Sequence, residues 1–159
     1  MTAFAAPTTE TAVTEAVRAA NSQNTAVQII AGGTRGRIGS LRSGYECLDV
    51  SGVAGITRYE PGALTLEAKA GTPIVQIEAA LDVENQMLAF EPMDHRALMG
   101  TQGTPTIGGV VACNVSGPRR FISGACRDFL LGVRFVEGQG RVIKNGGRVM
   151  KNVTGLDLT

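Results

Sequence analysis

Apolar positions recur along this chain in two rhythms, and each change of rhythm marks an element. In "TTETAVTEAVRAANSQN", residues 8 to 24, Ala12, Val13, Ala16, Val17 and Ala20 return at helical spacing behind threonines and an acid suited to capping. That pattern predicts an amphipathic helix. "AVQIIA", residues 26 to 31, is a short β-branched run that stops at Gly32-Gly33, which predicts a buried strand entering a glycine loop. "CLDVSGVAGI" predicts a second short strand followed by a loop.

Residues 56 to 70, "ITRYEPGALTLEAKA", carry the clearest hairpin pattern. Pro61-Gly62 forms the turn, and Leu64, Leu66, Ala68 and Ala70 alternate with Thr65, Glu67 and Lys69. "GTPIVQIEAAL" then predicts a helix with Thr72 as N-cap, Pro73 at its first position, and Ile74, Ile77 and Leu81 on its buried face. "QMLAF" reads as a short strand ended by Pro92. In "DFLLGVRFVEGQGRVIKNGG", Leu131, Val133 and Phe135 share one face of a strand, "EGQG" turns, and "RVIK" pairs back.

The order is thus helix, strand, glycine loop, hairpin, helix, strand, glycine loop, hairpin. With no internal repeat and no linker, this predicts an α+β fold in a chain of 159 residues, one ordinary domain or a piece of a larger one. The closing "RVMKNVTGLDLT" has no breaker and no polar tail, so the sequence is expected to stop inside a domain.

Composition sharpens this picture at one point. The chain is 43% hydrophobic and 18% charged, as expected of a soluble globular chain with a core. Its 21 glycines are about twice the usual share of about 7%, without any Gly-X-Y period. The excess is therefore expected to serve turns and close backbone approaches.

The net charge of +1 supplies no bulk field toward nucleic acid or a membrane surface. Arginines do cluster locally, at Arg35, Arg37 and Arg42 and at Arg119, Arg120 and Arg127. Solvated surface is the ordinary reading of such clusters, but both lie beside glycine-rich loops, which favours anion binding. Cys47, Cys113 and Cys126 form no CxxC pair, and the single His95 completes no metal set. Buried, reduced thiols and no metal are expected, with His95 a loop or surface residue. No apolar run reaches membrane-span length, and "MTAFAAPTTE" lacks the pattern of a secretion signal, which points to the cytoplasm.

Two segments carry candidate chemistry: "IIAGGTRG", from Ile29 to Gly36, and "TIGGVVACNVSG", from Thr106 to Gly117. Consecutive amides without a Cβ make an anion nest, and a helix N-terminus adds about half a positive charge. Gly108 to Cys113 is expected to open a helix whose N–H groups aim at a phosphate. Thr34 and Thr106 add hydroxyl donors, and Asn114 an amide for a ring heteroatom or ribose. The alternative is that these glycines serve only tight turns and close packing.

The sequence lacks GxxxxGK[ST], GxGxxG and GxSxG, which disfavours P-loop nucleotidases, nicotinamide-binding Rossmann folds and hydrolase triads. No His, Tyr or carboxylate cluster falls in either loop, so no catalytic acid or base is assigned.

"IIAGGTRG", "LTLEAKAGTPIVQIEAAL", "MLAFEP", "TIGGVVACNVSGPRR", "RDFLLGVRFV" and "VMKNVTGLDLT" stand in the same order as in the FAD-binding domain of the vanillyl-alcohol-oxidase/PCMH flavoproteins, which the chain resembles. The combination "GPRR…SGACRDFLLG…VMKNVTGLDL" looks particularly like the FAD-binding E subunit of glycolate oxidases.

The resemblance implies a PCMH-type FAD domain of two subdomains spanning residues 1–159, truncated before its C-terminal part and without the substrate-capping domain. It assigns FAD contacts to Ala31, Gly32, Gly33, Thr34 and Arg35 in the first loop, and to Thr106, Gly108, Gly109, Asn114 and Gly117 in the second. Neither His nor Cys stands in "AGGTRG", which implies non-covalent FAD. Two positions depart from the pattern: Ala31 replaces a further glycine and Leu156 a frequent tyrosine.

By this resemblance the chain belongs to an oxidase or dehydrogenase in which FAD takes a hydride equivalent from a 2-hydroxy acid such as glycolate. Its partners would be a second flavin subunit and an iron-sulfur subunit, with membrane association only through them. Beside this stands a non-catalytic assembly subunit that keeps the FAD fold as a scaffold. A nucleotide-binding enzyme of another kind ranks last.

Overall fold

Thr9 is extended (φ −130°, ψ 155°), and its hydroxyl accepts the Ala12 N–H at 3.2 Å. This N-cap opens α1 (Glu10–Ser22), whose Ala16 and Ala20 are buried as their spacing predicts. The computed structural model describes residues 6–36 and 44–147. Helix α1 meets the C-terminal hairpin, where the Arg134 Nη2 donates to Glu10 Oε1 at 2.8 Å.

The first strands are β1 (Val27–Ile30) and β2 (Glu46–Asp49), paired in parallel from Val27↔Glu46 to Ile30↔Asp49. Leu48 is fully buried, but Ile29 is 69% exposed, which corrects the expectation of a buried β1. Ile29 is the register partner of Leu48, so the two side chains share one face, whose cover among the described residues reaches Leu48 and not Ile29.

Next come β3 (Ile56–Glu60) and β4 (Thr65–Ala68), antiparallel with a register shift between Ile56 and Arg58. Their turn is a short 3-10 helix, Pro61–Ala63, closed by Leu64 at φ 53°. Leu64 is therefore an exposed turn residue, not the first apolar position of β4.

In α2 (Ile74–Asp82), Ile74, Ile77 and Leu81 are buried as predicted. The cap differs. Pro73 holds the N-cap position, and Thr72 sits one residue earlier, fully buried. The Thr72 hydroxyl lies 2.6 Å from the Lys69 carbonyl oxygen and accepts the Gly55 N–H at 2.9 Å, tying β4 to the preceding loop. "QMLAF" forms no strand because no strand lies beside it; side chains anchor it instead. Gln86 accepts from the Tyr59 hydroxyl at 2.9 Å and donates to the Pro61 carbonyl at 3.0 Å, while Phe90 enters the core.

Three short helices follow: α3 (Arg96–Met99), α4 (Ile107–Ala112) and α5 (Arg120–Ser123). The hairpin of β5 (Gly132–Val136) and β6 (Val142–Gly146) closes the described chain, in register from Gly132↔Gly146 to Val136↔Val142. Helix and strand are thus mixed as the α+β reading requires. Ile74, Phe90, Val110, Val115 and Cys126 form one buried cluster, with Leu88, Ile107 and Val111 packed on it. Burying each large aliphatic side chain stabilises by about 1.5–3 kcal/mol. The core thereby clamps α4, which carries the second glycine segment, against α2.

The thiols are all free, but only Cys126 is buried; Cys113 is exposed and Cys47 half-buried. Cys113 sits at the C-cap of α4, where a six-residue helix turns its last position outward. The sequence from residue 148 on, including Leu156 and "VMKNVTGLDLT", lies outside the described residues, as do Arg37 and Arg42.

Candidate cofactor site

The two glycine segments lie 70 residues apart in sequence yet meet in space. A Cβ on Gly32 would overlap the Thr104 carbonyl oxygen, and one on Gly103 would overlap the Gly32 carbonyl. Backbone therefore touches backbone where the first loop meets the approach to the second. The Thr101 hydroxyl donates to the Thr34 carbonyl at 2.7 Å, closing the same contact. From the first loop Arg35 reaches across, its Nη1 3.6 Å from the Cβ position of Gly109.

The loops differ in what their amides do. In α4, Ile107 N–H donates to Thr72 O at 2.9 Å, Gly108 N–H to Ala70 O at 2.8 Å, and Val110 N–H to Thr106 O at 3.0 Å. The Gly109 N–H points at the Thr106 hydroxyl at 3.4 Å, which makes Thr106 the N-cap. The expected helix is present, but its first amides are engaged within the protein instead of being free for a phosphate. Gly108 is small because Ala70 presses against it: an added Cβ would stand 2.7 Å from the Ala70 Cβ and 2.8 Å from its carbonyl oxygen.

In the first loop, the N–H groups of Gly33, Thr34 and Arg35 have no acceptor among the described residues. Gly33 adopts φ +67°, and its Cβ direction meets nothing within 4 Å. This is the open, bare backbone that an anion nest requires. Thr34 is buried, Gly33 exposed, and Ala31, Gly32 and Arg35 half-buried.

The far end of the second segment is likewise occupied by protein. Asn114 stands at φ 45°, and its side-chain oxygen accepts the Arg127 N–H at 3.1 Å. A Cβ on Gly117 would overlap the Glu91 carboxylate, whose Oε2 accepts the Arg119 N–H at 3.0 Å. The Gly117 N–H itself donates to Glu91 O at 2.9 Å. Arg119, Arg120 and Arg127 are exposed.

Sequence reasoning missed the segment from Glu91 to Arg96. Arg35 donates from Nε to His95 Nδ1 at 3.2 Å and from Nη2 to Met93 O at 3.3 Å. His95 is thus a half-buried partner of the first loop, not a bystander. Next to it, Asp94 binds Arg96, whose hydrogen bonds, with the nearby Arg35 charge adding to the effect, hold its carboxyl down at about 2. Sixty residues separate Arg35 from His95, and no short-range pattern encodes such a pair. No carboxylate lies within 4.0 Å of the Arg35 guanidinium among the described residues.

A cleft of about 500 Å³ opens between α2 and the 86–92 segment, lined by Val75, Glu78, Met87, Phe90, Glu91 and Arg119 among others. None of the glycine-loop residues lines it. No group of His, Cys, Asp and Glu among the described residues could hold a metal, and no described helix is long and apolar enough to cross a membrane.

A nest of amides without acceptors, beside a guanidinium without a carboxylate within 4.0 Å among the described residues, fits the diphosphate of a dinucleotide. Comparison with known proteins agrees with that chemistry. The FAD binding domain family matches residues 1–146. The chain is 43% identical over 148 residues to glycolate oxidase subunit GlcE of Escherichia coli (strain K12), covering 93% of this chain and 40% of that protein. It is 32% identical over 94 residues to glycolate oxidase subunit GlcD of Bacillus subtilis (strain 168), covering 59% of this chain and 19% of that one.

The solved structure of an alkyldihydroxyacetonephosphate synthase superposes on 96% of this chain and 26% of its own, with a TM-score of 0.71 at 18% identity, a likeness of fold alone. The chain thus spans well under half the length of the relatives it matches. On the match over residues 1–146 the chain belongs to the PCMH-type FAD-binding domain family, and its cofactor is FAD.

Proposed function

We propose that this chain is the FAD-binding portion of a subunit of a flavin-dependent oxidoreductase that converts a 2-hydroxy acid of the glycolate kind into the 2-oxo acid. The observation that carries this reading is the Arg35 guanidinium, lying against Gly109 with no carboxylate within 4.0 Å among the described residues, beside the Gly33, Thr34 and Arg35 amides that have no acceptor among those residues. The likeness to GlcE and GlcD supplies the substrate class.

Bound FAD supplies the acceptor for a hydride equivalent, and the protein supplies binding, orientation and exclusion of water. Within this chain, Gly33, Thr34 and Arg35 would meet the diphosphate through backbone N–H groups and the guanidinium. Gly32 holds that loop against Thr104, and Ala31 leads into it from β1. Thr106, Gly108 and Gly109 build the opposite wall, and Asn114 and Gly117 fix its far end through Arg127 and Glu91. Binding is non-covalent, since no His or Cys stands in the first loop. The partners in this reading are a second flavin subunit and an iron-sulfur subunit.

One observation favours a second reading. The first amides of α4 are consumed by Thr72, Ala70 and Thr106, so one wall of the cradle offers few free donors. A subunit that keeps the fold as a scaffold, with chemistry in its partner, is consistent with that. Flavin absorbance of the full-length protein, before and after glycolate, separates the two. Bound flavin that bleaches supports the oxidoreductase. Bound flavin that stays oxidised with all partners present supports the scaffold, and failure to bind FAD overturns the oxidoreductase.

A further inference from the structure

We propose that His95 is a positioning residue for the cofactor: its neutral imidazole accepts the Arg35 Nε–H and so fixes the guanidinium over the glycine cradle. This role rests on the FAD reading of the site and goes beyond it, because His95 lies in neither glycine loop.

The geometry is specific. Two of the three Arg35 nitrogens are fixed by one segment, Nε by His95 Nδ1 at 3.2 Å and Nη2 by Met93 O at 3.3 Å. The third, Nη1, faces Gly109, with 3.6 Å to its Cβ position. A guanidinium is a planar fork, so fixing two corners sets the direction of the third. A free arginine side chain would have to give up rotamer entropy to reach one geometry. Here that ordering is done before the ligand arrives, which is preorganisation.

The acceptor role requires Nδ1 to carry no proton, with the proton on Nε2. A second proton would turn the acceptor into a donor and set two cations face to face. Among the described residues, the charged groups of the surrounding segments are Arg35 on the first loop and Glu91, Asp94 and Arg96 beside His95; residues 100–106 and α4 carry none. Asp94 stays ionised throughout the neutral range, held at about 2 by Arg96, and Glu91 is turned to the Arg119 N–H.

The test is FAD titration of the full-length protein, followed by quenching of flavin fluorescence, for wild type, His95→Ala and His95→Asn. Asn can place its side-chain oxygen where Nδ1 stood, and it does not titrate. The expected result is a roughly tenfold weaker Kd for His95→Ala, the loss of one charge-assisted hydrogen bond. His95→Asn should bind within about twofold of wild type by the same reasoning.

Equal binding by wild type and His95→Ala overturns this role alone. So does a loss in His95→Ala that Asn fails to restore. A wild-type protein that takes up no FAD overturns the cofactor reading and this role with it.

Discussion

Gly108 donates its backbone N–H to the Ala70 carbonyl oxygen at 2.8 Å, and the space its missing side chain would fill is taken by the Ala70 Cβ. Helix α4 is therefore docked by backbone contact onto the residue that follows β4 and Lys69. The glycine is needed for that docking whatever the ligand.

This separates the two neighbouring glycines experimentally. Gly108→Val forces α4 away from Ala70 and is expected to cost about 1–3 kcal/mol of stability, as overpacking does. Gly109→Ala meets only Thr106 Oγ1 at 3.4 Å and Arg35 Nη1 at 3.6 Å. It should leave stability within about 1 kcal/mol, since alanine favours a helix over glycine by about that much. Its methyl shields the guanidinium, so FAD affinity should fall. Urea denaturation and FAD titration of both variants check the contrast.

Glu91 organises the turn that carries Gly117 and Arg119. Its Oε2 accepts the Arg119 N–H at 3.0 Å, and its carbonyl accepts the Gly117 N–H at 2.9 Å. Glu91→Ala should cost about 1–2 kcal/mol, near the low end for a hydrogen bond to a charged group because the site is partly exposed. Glu91→Gln keeps an acceptor and should recover about half of that. Denaturation midpoints measure both.

The pair between Glu10 on α1 and Arg134 on β5 makes stability depend on acid pH. Hydrogen bonding from Arg134 lowers the Glu10 carboxyl below its ordinary 4.5, the Arg134 charge assisting and partial desolvation opposing. A carboxylate depressed in the folded state contributes stability that is complete above the unfolded value near 4.5 and is lost as pH falls through the lower folded value. Both side chains are largely exposed, so the effect is small. Glu10→Gln should flatten the acid side of a stability-against-pH curve below about pH 5 and leave the neutral range nearly unchanged.

Thiol labelling distinguishes the cysteines. Cys113 is exposed, whereas Cys126 is 2% exposed and burial pushes its thiol up. A thiol reagent at neutral pH should modify Cys113 in the native protein and Cys126 only with global unfolding, because the thiolate is the reactive form. Mass spectrometry of the labelled peptides decides it. Modification of Cys126 at the rate of Cys113 would contradict its place in the core.

Much of this was legible in the pattern of residues. The buried faces of α1 and α2 and the hairpins follow from local spacing, because helix and strand periods act over a few residues. The glycine segments were visible as places where side-chain bulk is withheld. Which neighbour filled each gap was not. Gly32 meets Thr104, Gly108 meets Ala70, and Gly117 meets Glu91, all contacts between distant parts of the chain.

The sequence by itself therefore determined the longer helices, the hairpins, the family and the two segments of bare backbone, since these are written in local spacing and in the order of short motifs. Only the tertiary structure decided that the free amides belong to the first segment, that those of the second are engaged by protein partners, and that Arg35 is held by His95. Hydrogen-bond donors are assigned only when the fold brings acceptors within about 3 Å. Residues 60 apart, such as Arg35 and His95, come that close only in the folded chain.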